Sequence, residues 1–288
     1  MSAQPRHPPS SNDAIFQTLE PFLVVAPWHR ECFDLRPFGV AVPDENIIDP
    51  TRMGAAEFLR RLLVLDRLTF GPEGMPMPQW LFYDAAEVPG AIFGFGRSAE
   101  SLPPPLARRL ELSQGSAGLM PLSMYIAVPA RPPSVWLGHN LASLNRVLPE
   151  LGLHGLASIT KAMALKAFRC RCQIGAVQWD SSGLFVHTRF GALQLVTAWT
   201  PAHSEPATLT YQIDVDDEVL RWGLGDPAAA PRFPAADFEV SPGDHGAMQS
   251  LQARIEQGGR FLICGPPRRA DDASVRVPVA EAPGRQGD

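Results

Sequence analysis

Apolar positions recur at i, i+3, i+7 and i+11 through Leu156, Ile159, Met163 and Ala167, which predicts an α-helix opened by Gly152-Leu153-His154-Gly155. Leu165 falls on the opposite side, so this helix is expected to be central and covered on both faces. A second helical period, Phe58, Leu62, Leu65 with Leu59 and Leu63, follows Asp49-Pro50 and stops at Gly71-Pro72. It predicts a helix over 50–70 with Asp49 as N-cap and Pro50 at the first helical position. The apolar run at 22–25, ended by Pro27, predicts a strand, and 121–128 (PLSMYIAV), closed by Pro129, predicts the strongest strand of all. The run Trp80-Leu81-Phe82-Tyr83 and the run 91–95, either side of Pro89-Gly90, predict an antiparallel hairpin. Further strands are expected at 174–179, 193–200, 207–215 and 261–264, and further helices at 106–112, 182–189 and 247–256. The segment 130–151, punctuated by Pro132, Pro133 and Pro149, reads as a long irregular insert. The fold class that follows is α/β (α+β), with a mixed, largely antiparallel sheet flanked by helices.

Composition narrows the picture. Hydrophobic residues are 45% of the 288 and charged residues 19%, a balance that excludes a wholly disordered chain. The polar, Pro-rich stretch 1–14 and the aperiodic stretch 266–288 are expected to be disordered tails. Between them the expected organisation is one domain at 15–215 carrying the 130–151 insert, and an extension at 216–265. That extension either packs on the sheet or forms the contact of a homodimer. A net charge of −5 leaves no basic field to hold nucleic acid. No run approaches the roughly 20 apolar residues of a membrane span, and no basic-then-apolar leader opens the chain, so a cytoplasmic protein is expected. Lys161 and Lys166 are the only lysines beside 23 arginines, a bias expected of a GC-rich bacterial genome. The four cysteines are spaced too irregularly for a disulfide framework. His139, His154, His187 and His203 form no ligand pair at metal spacing, so no metal is expected.

The order strand, glycine-opened helix, strand, short helix, strand, strand over 121–215 resembles the GNAT superfamily of acyl-CoA-dependent acyltransferases. The family signature, Gln or Arg, two residues, Gly, one residue, Gly or Ala, aligns with Gly152-Leu153-His154-Gly155-Leu156-Ala157, matching at its second and third positions. Downstream, Asp180, Gly183, Val186-His187 and Gly191 fall at the spacings of the family's fourth-helix motif. With the upstream helix and hairpin, the resemblance covers roughly 50–215. It implies an acyl-CoA or acetyl-CoA co-substrate, or a carrier thioester, and a small-molecule amine as acceptor. It also implies a diphosphate over the amides of Gly152, Leu153, His154, Gly155, Leu156 and Ala157, with pantetheine beside the strand carrying Ile126 and Val128. His187 stands where the family often places its tyrosine acid, and an imidazolium can protonate a leaving thiolate near neutral pH. The strand 122–128 carries no carboxylate, so Tyr125, Asp84 or Glu87 would serve as base, or a water relay.

The turn also makes physical sense without the family. A helix N-terminus offers unpaired N–H groups and a partial positive charge, and glycines let an anion approach the backbone. Each feature has a plainer alternative. The glycines could serve helix packing, and His187 could be a satisfied core histidine. Lys161 and Lys166, about 140° apart on the helix, would be solvated. Two other functions stay open: a GNAT-like shell that binds a ligand or partner without transfer, and a lyase or decarboxylase acting on an acyl thioester.

Overall fold

The computed structural model describes residues 11–82, 90–131, 134–203, 205–270 and 274–283. The chain divides into two compact units: Met1–Ala127 with Asn140–Phe168, and Val128–His139 with Arg169–Asp288. The stretch 15–215 expected as one domain has residues in both units.

In the first unit, β1 (Glu20–Val24) pairs in parallel with β2 (Ile47–Ile48) and antiparallel with β3 (Ala91–Ser98). β3 in turn pairs antiparallel with β4 (Leu119–Arg131), setting Phe93 opposite Tyr125 and Ile92 opposite Ile126. Helix α1 (Ser11–Thr18) precedes this sheet, and α2 (Ala56–Phe70) buries Phe58, Leu59, Leu62 and Leu65 as the period requires. α2 begins six residues later than expected. The Asp49 carboxylate instead accepts from the Thr51 N–H and hydroxyl in a local turn. α3 spans Pro104–Arg109, and α4 spans Leu156–Ala167 and packs on β3. The Asp34 N–H closes the far end of α4 by donating to the Ala167 carbonyl at 2.8 Å.

Four expectations need correction. Residues 79–82 are helical, so Trp80, Leu81 and Phe82 form no hairpin strand, while 83–89, including Tyr83, Asp84, Glu87 and Pro89, lie outside the described residues. The supposed insert holds a strand, β5 (Val135–Ser143), followed by 3₁₀ turns at Leu144–Arg146 and Pro149–Leu151. β5, rather than 122–128, therefore leads into the central helix. Lys161 is completely buried rather than solvated. The fourth correction falls in the second unit, where part of the supposed tail 266–288 is a strand.

There β6 (Cys172–Gln178) pairs in parallel with β5 over Val135–Gly138 and antiparallel with β8 (Thr208–Asp214). β8 pairs with β7 (Leu193–Thr197), β7 with β10 (Arg260–Ile263), and β10 with β12 (Val275–Ala282), all antiparallel. β12 also pairs with β9 (Phe238–Val240) and with β11 (Arg268–Arg269). Val277 and Val279 are fully buried, which is why 275–282 is ordered. Helices α5 (Ser182–Thr188), α6 (Asp217–Gly223) and α7 (His245–Glu256) complete the unit. Among the described residues the only parallel ladders are β1–β2 and β5–β6. The fold is thus a mixed α/β arrangement with largely antiparallel pairing.

Candidate functional site

In the first unit β5 delivers the chain through two short turns to Gly152, whose φ of +67° caps the second turn, and then to Gly155, the N-cap of α4 at φ +81°. Both conformations are left-handed, which a β-carbon resists, so the glycines are required by the path of the turn. Leu153 and Leu156 are buried and anchor the turn in the core, whereas Gly152 and His154 are exposed and Gly155 and Ala157 half-exposed. The expected binding set therefore separates into anchors and open positions. No side chain caps α4, and the first main-chain bonds run from Leu156 N to Leu153 O and from Ile159 N to Gly155 O. The N–H groups between those two residues belong to the uncapped first turn, the end of a helix that favours negative charge. No acidic residue stands between 151 and 157. The nearest in sequence, Glu150, is paired with Arg109.

Tyr125 and Ile126 lie on β4, buried at 1% and 0% exposure, with the Tyr125 ring stacked on Phe168 at 6.3 Å. Val128 is half-buried on the same strand and falls in the second unit. His187 also belongs to the second unit, at the C-terminal end of α5, and is 9% exposed. Its ring centroid lies 5.1 Å from that of Tyr211, with the planes 41° apart. Ser181 caps α5, its hydroxyl accepting from the Gly183 N–H at 3.0 Å. Tyr211 is fully buried, and that burial pushes its phenol well above the ordinary tyrosine range, partly opposed by a hydrogen bond from Gln173.

Sequence reasoning missed two buried polar groupings. In the first unit, Asp66 of α2 accepts from Asn140 Nδ2 at 2.7 Å and from the Met77 N–H at 2.8 Å. Asp66 is 2% exposed, and burial raises its pKa against the opposing effect of those two bonds. In the second, Gln173 Nε2 donates to Tyr211 Oη at 3.0 Å. The available signal was parity: Gln173 shares the inward face of β6 with Val177, four residues on, and Tyr211 shares that of β8 with Leu209, two residues back. Among the described residues no group of three or more His, Cys, Asp or Glu could hold a metal ion. Nor is any described helix long and apolar enough to cross a membrane.

No protein-family model and no curated protein matches this chain. Among solved structures, the chain is similar to an aminoglycoside 6'-acetyltransferase type Ii, at 11% identity and a TM-score of 0.36. The match covers 58% of this chain and 94% of that one. A likeness this loose carries no argument about substrate or chemistry.

Proposed function

We propose that the protein is a GNAT-like N-acyltransferase that moves an acyl group from acyl-CoA, acetyl-CoA or a carrier thioester to the amine of a small molecule. The observation that carries this reading is the passage from β5, through two left-handed glycines, into an uncapped twelve-residue helix. Its open amides and its lack of a nearby unpaired carboxylate suit a diphosphate. β5 rather than β4 takes the part of the strand beside the pantetheine in this reading. The ladder with β6 covers only Val135–Gly138, and β5 runs on to Ser143.

In the reaction the amine nitrogen attacks the thioester carbonyl, the C–N bond forms and the C–S bond breaks. The amine gives up a proton to water or a base, and His187 supplies the proton the thiolate takes up. Calorimetric titration with acetyl-CoA and with free CoA tests the reading, repeated on Ala157→Glu, which sets a carboxylate beside the open amides. Micromolar binding lost in the variant supports it. Absence of binding to the natural chain removes the CoA-dependent reading. The alternative of a shell that binds without transfer draws on Gly152, which stands where the family carries Gln or Arg. Binding without turnover across an amine panel selects that alternative, and release of CO₂ from a malonyl thioester selects a decarboxylase.

A further inference from the structure

The buried cluster of the second unit has an internal logic. Along β6 the inward positions are Gln173, Gly175 and Val177, and along β8 they are Leu209, Tyr211 and Ile213. Register sets Gly175 directly opposite Tyr211 and Gln173 opposite Ile213. The phenol lies across β6 in the space a side chain at 175 would fill, for a β-carbon there would stand 2.5 Å from Oη. A glycine inside a strand weakens it and marks a close approach, and here the approaching group is the phenol. Gln173, 1% exposed, fixes the hydroxyl by donating to it. That bond occupies one lone pair of the oxygen and turns the phenol's own O–H away from the amide. The His187 ring rests against the ring so held, on a helix whose start is fixed by Ser181. Gly183 lies on the same helix, and a β-carbon there would stand in ordinary contact with His187 Nε2 at 3.8 Å.

We infer that Tyr211 is the positioning residue of His187: Gly175 makes room for the phenol, Gln173 orients its hydroxyl, and the phenol seats the imidazole in one orientation. Only the catalytic consequence rests on the proposed proton transfer; the seating is a property of the second unit's own packing. An imidazole released from that seat takes up other ring orientations, so its two distinct ring nitrogens meet different surroundings.

The test is ¹⁵N-histidine NMR on the full chain at fixed pH, with the His187 signals assigned through His187→Gln. Tyr211→Phe keeps the ring and deletes the hydroxyl, and Gln173→Met keeps the length and deletes the amide. Both variants are expected to keep the natural circular dichroism and to change the Nδ1 and Nε2 shifts of His187. With an acyl donor and acceptor that turn over, each should lower kcat about tenfold and leave KM unchanged, the scale on which an orienting partner acts. His187 shifts identical to those of the natural chain in a folded variant overturn the inference. If Tyr211→Phe fails to fold, Gln173→Met decides alone. Shifts that move while His187→Ala keeps full turnover leave the seating in place and remove the proton-donor role.

Discussion

The two units bury different kinds of polarity. The first encloses Arg61 at 5% exposure, Asp66 at 2% and Lys161 at 0%, together with Asn46, Ser123, Asn140, Ser158 and Thr160. The second encloses Gln173, His187, Thr188 and Thr208, none of which carries an obligatory charge. Burying a charge costs several kcal/mol unless fixed partners compensate it. The first unit therefore depends on specific bonds, such as those from Arg61 to the Ala117 and Leu119 carbonyls, both at 2.9 Å. The second depends on shape and on neutral hydrogen bonds. Substitutions at buried polar positions should accordingly be more damaging in the first unit.

Arg61→Ala should break this contrast most strongly. It leaves the Ala117 and Leu119 carbonyls without the Arg61 donor, while Glu57 keeps Arg60, for an expected loss of about 3 kcal/mol in urea unfolding. A loss below that of any second-unit variant would refute the contrast. Gly175→Ala comes next, at about 2 kcal/mol, because its new methyl group overpacks the Tyr211 phenol. A neutral outcome would mean that the phenol has room to move. Ser181→Ala removes the α5 cap and should cost about 1 kcal/mol, with hydrogen exchange speeding up chiefly in 182–188. The last effect is a slope. The raised pKa of Asp66 means that the folded state holds its proton more tightly than the unfolded state, whose value is near 3.8. Stability from this group is then greatest below that value and falls as pH rises through the folded pKa. Asp66→Asn should flatten the pH dependence of the urea midpoint over that window, and an unchanged slope would assign it to other groups.

The helix α4 was legible because three signals agreed: an apolar period, two glycines at its start, and Leu165 on the far side. α5 and the strands β6 to β8 were legible for similar reasons, each bounded by turn residues. β5 was not, since Gly138-His139-Asn140 interrupts its apolar alternation and two prolines precede it. Nothing local shows that Asn140 turns inward to meet Asp66, a partner 74 residues away. The aromatic run at 80–82 carries strand propensity, yet it is helical, a case of tertiary context overriding a weak local preference. β12 was hidden by Arg276 and Pro278, although Val275, Val277 and Val279 keep a period of two. The burial of Lys161 was signalled by its helix, whose apolar residues run around the whole circumference and leave no solvated stripe for a lysine. The glycine turn at 152–157 that opens α4 was readable, whereas the contact between His187 and Tyr211 required the register that sets Gly175 against Tyr211.

The position of β12 between β9 and β10 also orders events during synthesis. The β1–β2, β1–β3 and β3–β4 ladders of the first unit all lie within residues 20–127. In the second unit, β9 and β10 both wait for 275–282 to leave the ribosome. Until then their backbone edges are open to other chains, and nascent protein stalled in that interval should need chaperone protection more than the finished chain does.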